Sequence, residues 1–210
     1  MIDSPDSVPR QITFGQELWR KGTHMFALVI PGGYYFLQLD RVGMLTLMVP
    51  ITLAFILGDI SRLRGWSLWT GGLERFFGRM IRPHEKQGDF SGATYILSTV
   101  CFTVALFDKP IAIAAIAFII VGDTLAALVG RKFGRRRFFG SKSLEGSTAC
   151  LAGTLIVAVF TPGLALTVAV AGAVVAAVVE ALPFGIDDNV TVPILSGLAM
   201  TLVTQILLGF

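Results

Sequence analysis

Seven stretches of this chain are continuously apolar for long enough to cross a bilayer, and no other feature restricts its fold more. A hydrocarbon core about 30 Å thick asks for roughly 17 to 25 helical residues per crossing. The runs fall near residues 24–40, 43–60, 91–108, 110–130, 147–162, 164–182 and 191–209. Their apolar positions follow one another without alternation, which marks helices and not barrel strands. Composition agrees: of 210 residues 54% are apolar and only 15% charged, with a mean hydropathy of +0.74. The expected fold is all-α: a polytopic membrane protein of about seven transmembrane helices. Residues 1–23 read as a cytoplasmic N-terminal segment and 24–210 as a single membrane domain.

The opening MIDSPDSVPRQITFGQELWRKG is acidic before it is basic, the reverse of a cleaved signal peptide, so the first span is expected to be retained. The two cysteines, Cys101 and Cys150, both fall inside apolar runs without CxxC or Cys/His spacing. They read as small buried hydrophobes, with neither a disulfide nor a zinc site.

Lysine and arginine are distributed unevenly. Arg10, Arg20 and Lys21 precede the first run, Arg62, Arg64, Arg75, Arg79, Arg82 and Lys86 lie between the second and third, and Arg131, Lys132, Arg135, Arg136, Arg137 and Lys142 between the fourth and fifth. The alternate connections hold only Arg41 and Lys109. By the positive-inside rule the N-terminus and the basic connections are cytoplasmic and the C-terminus lies on the far side. Within the first basic connection, residues 66–82 place Trp69, Leu73, Phe76, Phe77 and Met80 at helical spacing opposite Glu74, Arg75, Arg79 and Arg82. That pattern predicts an amphipathic helix in the cytoplasmic interface.

Three acids interrupt the apolar runs. Asp59 sits beside Arg62 and reads as a solvated or paired helix end, and Glu180 lies near the end of the sixth run. Asp123 is about two helical turns, roughly 10 Å, inside the fourth run, too deep for a short side chain to reach water. It calls for a metal, a cation or a wet cavity. Toward the same side lies ALPFGIDDNVTVP, where Asp187, Asp188 and Asn189 offer three consecutive oxygen-bearing side chains suited to a hard cation such as Mg²⁺. The basic connection adds Gly130, Gly134, Gly140 and Gly146, which permit close backbone approach to an anion, with Lys142 and Ser143 as a point charge and a hydroxyl. Residues 144–148 open the next helix, whose N-terminus favours negative charge. Cationic loop, helix N-terminus and acidic ligands together describe a nucleoside triphosphate with its Mg²⁺. The loop is not a Walker A motif, since five residues separate the glycines of GRRRFFGSKS and Ser141 precedes the Lys-Ser pair. No protein-kinase glycine loop with HRD or DFG is present either.

Five segments in order carry a family resemblance: ELWRKGTH at 17–24, SGATY at 91–95, GDTLAALVGRKFG at 122–134, KSLEGS at 142–147 and EALPFGIDDNVTVP at 180–193. Through them the chain resembles the dolichol kinase, phytol kinase and CTP-dependent diacylglycerol kinase family, related to the CDP-diacylglycerol synthases. The resemblance implies transfer of the γ-phosphoryl group of CTP to the hydroxyl of a polyprenol, dolichol, phytol or diacylglycerol. It carries over Arg20, Lys21, Asp123, Gly130, Lys142, Glu145 and the Asp187–Asp188–Asn189 cluster. The chain lacks the extra N-terminal spans of the eukaryotic dolichol kinases, which suggests a minimal enzyme of a prokaryotic inner membrane.

The expected mechanism has Asp123 with Asp187 or Asp188 holding Mg²⁺ on the triphosphate, while Arg131, Lys132 and Lys142 neutralise its charge and Arg20 and Lys21 close the pocket. His24 or Glu180 would take the hydroxyl proton, and Asn189 is one candidate reader of cytosine. A phosphatidate cytidylyltransferase is the nearest alternative and a small ion-coupled transporter a more distant one. No nucleic-acid partner is expected, and the assembly is left open between monomer and homodimer.

Overall fold

A computed structural model describes residues 14–67, 72, 88–140, 142–183 and 185–209. The amphipathic helix expected at 66–82 falls almost wholly outside these residues. Among the described residues there are eight helices and one short hairpin: α1 Phe14–Phe26, α2 Val29–Phe36, α3 Arg41–Leu63, α4 Gly92–Leu106, α5 Lys109–Phe133, β1 Arg137–Phe139, β2 Lys142–Ser143, α6 Leu144–Phe160, α7 Leu166–Ala181 and α8 Asp188–Leu208.

The protein is all-α apart from that hairpin. By length and composition α3, α5 and α8 can each cross a membrane, and α4, α6 and α7 are apolar but shorter, at 15, 17 and 16 residues. Large apolar side chains stand exposed on the outer faces of the bundle, among them Leu53 and Leu57 of α3, Phe102 of α4, Phe160 of α6 and Ile206 of α8. Water would penalise such a surface and lipid would not. This is a membrane protein.

The run at 24–40 is not one helix. It is shared between the end of α1 and the eight residues of α2, with a turn at Ala27 and Leu28. Pro31 explains the break: in an uninterrupted helix its ring would meet the carbonyl of residue 27, whereas the first turn of a new helix accommodates it. The other six runs each form a single helix, and side-chain caps set several starts. Asp40 accepts from the Gly43 amide at 2.7 Å, Ser143 from Gly146 at 3.1 Å and Asp187 from Asn189 at 2.8 Å.

Helix α5 is the axis, with α1, α2, α4, α6, α7 and α8 all packed on it. Every residue from Ile111 to Ile120 is buried, which accounts for a sequence apolar on all sides. Its closest neighbour is α6, and the contact is built from small residues. A Cβ on Gly122 would come within 2.8 Å of Cys150 Sγ, and one on Gly146 within 2.8 Å of the Ala126 carbonyl oxygen. Gly122, Ala126 and Gly130 on α5, against Gly146, Cys150 and Thr154 on α6, repeat every fourth residue and bring the two backbones together.

From α3 onward successive helices run in opposite directions, so their connections gather at two ends. At one end Lys109 Nζ donates to the Leu39 carbonyl at 2.7 Å and Arg41 Nη2 to that of Phe107 at 3.1 Å. The two basic residues of the alternate connections thus lie together. The other end carries the hairpin, the C-termini of α3, α5 and α7, and the N-termini of α4, α6 and α8.

Candidate active site

The hairpin end is built from charged side chains that would be costly to bury singly and are therefore buried in pairs. Helix α1 supplies the first group. Glu17, Lys21 and His24 recur at helical spacing on one face, toward α5, while Leu18, Trp19 and Phe26 are exposed on the other. Glu17 and Lys21 are each only 1% exposed. The Lys21 ammonium donates to Asp123 Oδ2, and His24 Nε2 lies 3.4 Å from the same oxygen. That nitrogen is buried and makes no hydrogen bond among the described residues. The expected intramembrane acid thus meets two of the N-terminal residues expected beside it.

Arg20 forks onto both oxygens of Glu17, and Arg131, in the last turn of α5, places Nη2 3.7 Å from Glu17 Oε2. Burial opposes ionisation of Glu17, but Arg20, Lys21 and Arg131 outweigh it and hold the carboxyl below its usual range. Glu17 is a member of this charged cluster that sequence reasoning misses. The signal that could find it is the 17, 21, 24 spacing of ionisable groups, opposite Leu18, Trp19 and Phe26.

The second group centres on Lys142. Pairing of β2 with β1, Arg137 opposite Ser143 and Phe139 opposite Lys142, fixes this residue above the ends of α7 and α8. There its ammonium donates to Glu180 at 2.6 Å and to Asp188 at 2.8 Å. Burial pulls the Lys142 pKa down, yet the two carboxylates more than offset it and leave it above the ordinary lysine value. Asp123 lies within electrostatic reach of Glu180 and Asp188, so the two groups share one region. Glu180 Oε2 in this group, and Oδ1 of Asn189 next to Asp188 in the chain, are each buried without a hydrogen-bond partner among the described residues.

Other expected site residues have different positions. Of the four glycines proposed to cradle an anion, Gly140 lies in open space at φ +53°, and the others are close-packed: a Cβ on Gly130 would meet Ser143 Oγ at 3.1 Å, and one on Gly146 would come within 3.3 Å of the Gly130 Cα. Gly134 is blocked by the Gly130 carbonyl and by Ser143. Ser143 is 3% exposed, and its hydroxyl caps α6. Gly130, Gly134, Ser143 and Gly146 are close-packed where α5, the hairpin and α6 meet. Glu145 receives the Arg136 amide at 3.3 Å and ties the hairpin to α6. Lys132 is exposed, its ammonium 5.3 Å from the Phe133 ring centre. Asp187 spends Oδ1 on the backbone and side-chain nitrogens of Asn189.

Asp59 is a paired helix end. It is 5% exposed and accepts from Ser91 N at 2.8 Å, Ser91 Oγ at 2.9 Å, Thr94 Oγ1 at 2.7 Å and Arg62 Nε at 3.1 Å, tying α3 to the start of α4. The SGATY segment has its physical reason in this anchor.

Among the described residues no three His, Cys, Asp or Glu side chains converge as a metal cluster. Mg²⁺ does not require one: it is commonly held by one or two carboxylates together with phosphate oxygens and water. The carboxylates of Glu180 and Asp188, which meet at the Lys142 ammonium, are oxygen donors of that kind.

The chain is 31% identical over 148 residues to the uncharacterised protein RP860 of Rickettsia prowazekii (strain Madrid E), covering 70% of this chain and 71% of that protein. It is 29% identical to the CTP-dependent diacylglycerol kinase 1 of Schizosaccharomyces pombe, over 62% of this chain and 60% of that one. With the probable phytol kinase 2, chloroplastic, of Oryza sativa subsp. japonica it shares 33% identity, over 59% of this chain and 48% of the relative. The chain belongs to the polyprenol and diacylglycerol kinase family. It spans 60% and 48% of the length of these two named kinases of the family. No family profile matches the chain, and no solved structure matches it.

Proposed function

We propose that this protein is a CTP-dependent lipid kinase that transfers the γ-phosphoryl group of CTP to the hydroxyl of a lipid alcohol, whether a polyprenol, dolichol, phytol or diacylglycerol. The observation that carries the proposal is the meeting of Lys21 and His24 with Asp123 in the interior of an apolar bundle. The Lys142 group beside it and the kinase relatives support the same reading.

Phosphoryl transfer asks the protein mainly to position its reactants and neutralise charge. Arg20, Lys21, Arg131 and Lys142 are the cations nearest the two acidic groups, and they would receive the triphosphate oxygens. Asp123 and Asp188 would hold Mg²⁺, which when bound would supply charge neutralisation for the triphosphate. His24 Nε2 would accept the proton of the lipid hydroxyl as its oxygen bonds to the γ-phosphorus and the bond to CDP breaks, and Asp123 would stabilise the resulting imidazolium. Glu180, tied to Lys142, is placed less well for that step. The apolar outer face of α1 would lie in the interface, setting its charged face where a lipid head group meets a cytoplasmic nucleotide. The N-terminus and the hairpin end would face the cytoplasm, in a prokaryotic inner membrane. Incubating the purified protein with γ-labelled CTP and, separately, a polyprenol, phytol, diacylglycerol and phosphatidate tests the reading. Label is expected in one or more of the alcohols, and label in none of them would reject it.

A further inference from the structure

The connection between α5 and α6 carries positive charge that neither acidic group uses. From Gly130 to Leu144 the chain holds six cations and no acid. Arg131 faces Glu17, and Lys142 faces Glu180 and Asp188. Arg135, Arg136 and Arg137 are exposed, and Glu145, the nearest acid in the chain, turns both oxygens to the Arg136 backbone amide at 3.3 Å. Two aromatic rings stand among these arginines. Phe138 is 43% exposed and Phe139 47%, and the rings meet edge to face with 5.6 Å between centres. Lys132 above the exposed Phe133 ring repeats the combination at the end of α5. Water penalises a contiguous apolar patch of this kind. The strand that presents it is fixed, since β1 pairs with β2 and the Leu144 amide donates to the Arg136 carbonyl at 2.9 Å.

We infer that β1 and the two arginines before it are seated on the protein's own bilayer, with Phe138 and Phe139 in the interface and Arg135, Arg136 and Arg137 on the phosphates of anionic phospholipids. Position and charge select this occupant. The hairpin joins α5, long and apolar enough to cross a membrane, to the apolar α6, so both its ends are held where the chain leaves the lipid. Rings flanked by cations suit that layer, which offers apolar surroundings and anionic head groups at one level. An acidic protein would answer the arginines but would have to cover the rings as well, whereas the adjacent bilayer does both. The seat bears on the active site because Phe139 is paired opposite Lys142, whose ammonium reaches Glu180 at 2.6 Å. Anionic lipid held on β1 therefore steadies Lys142, and this consequence alone rests on the kinase reading.

The full-length protein in phosphatidylcholine vesicles, with and without phosphatidylglycerol, tests the seat. With Phe138→Trp introduced and Trp19, Trp66 and Trp69 replaced by Phe, quenching by brominated lipid reports what surrounds the hairpin. At equal mole fraction brominated phosphatidylglycerol should quench about threefold more than brominated phosphatidylcholine, and Arg135→Gln, Arg136→Gln and Arg137→Gln together should bring the two to parity. Raised salt should do the same in protein that keeps its arginines, which frees the result from how the triple variant folds. Equal quenching by the two lipids, or a preference that survives the Gln substitutions, would overturn the seat. Quenching by neither would overturn it in favour of a protein partner. In protein without substitutions, transfer of γ-label from CTP to a lipid alcohol should rise about threefold with phosphatidylglycerol, and the triple Gln variant should keep the phosphatidylcholine rate and lose the rise. A rate indifferent to phosphatidylglycerol would reject the link to Lys142. Preferential quenching in a protein that never labels an alcohol would reject the kinase and leave the seat. Labelling alongside equal quenching would reject the seat and leave the kinase.

Discussion

Lys21 is the most thoroughly buried cation among the described residues, and its partner Asp123 sits within a membrane-length helix, so neither is replaceable alone at low cost. Removing one member of a buried pair leaves an uncompensated charge, typically about 3–5 kcal/mol. Asp123→Asn should therefore lower the thermal midpoint and reduce phosphoryl transfer at least 100-fold, a magnitude usual for losing an electrostatic anchor. Lys21→Met combined with Asp123→Asn should recover most of the midpoint and none of the activity, because the orphan charge is gone and the site with it. A double variant no more stable than Asp123→Asn would show that the pair is not what is lost. Lys142 gives the pH dependence. Its folded pKa is raised above the ordinary value of about 10.4, so its contribution to stability is fully present below that pH and is lost as pH rises through the folded value. Thermal midpoints should lose an alkaline decline above about pH 10 when Lys142→Met is introduced. Glu17 works in the opposite sense: held below its usual range, it stabilises above about pH 4 and ceases to as pH falls through its folded value.

At the scale of elements, the small-residue seam between α5 and α6 sets how close the hairpin and Lys142 come to Asp123. Gly146→Val would push a side chain into the Ala126 carbonyl and should cost about 1–3 kcal/mol, with loss of activity from displaced α6. Gly32 of α2 has no atom within 4 Å of the place a Cβ would occupy, so Gly32→Ala should be neutral or stabilise by up to about 1 kcal/mol. Comparing the two midpoints checks the seam, and equal effects would contradict it. The same seam explains what the sequence conceals. Glycine allows backbone to approach a ligand or another helix alike, and nothing in GRKFG or SKSLEG distinguishes the two until Gly130 and Gly146 are seen facing one another. The helix at 110–130 is legible because an axis buried on every side tolerates little besides apolar residues, and Asp123 stands out against it. The run at 24–40 looks as continuous, yet one proline divides it. Glu17 stays hidden because its partners come from a neighbouring turn and from Arg131, more than a hundred residues away.

At the scale of the whole molecule, Arg41 and Lys109 meet at one end and the Lys21 and Lys142 groups at the other, which is the arrangement the charge distribution anticipates. If the hairpin end is cytoplasmic, a cysteine at Phe138 should react with a membrane-impermeant maleimide only from the cytoplasmic side, and one at Gln38 only from the opposite side. Both labelling from one side would overturn the topology. The central claim is the chemistry, and CTP labelled either at the γ- or the α-phosphorus tests it most directly, with the purified protein and a panel of lipid alcohols and phosphatidate. The account predicts that γ-label alone enters a lipid alcohol and that CDP is released. Entry of α-label into phosphatidate with release of pyrophosphate would contradict it.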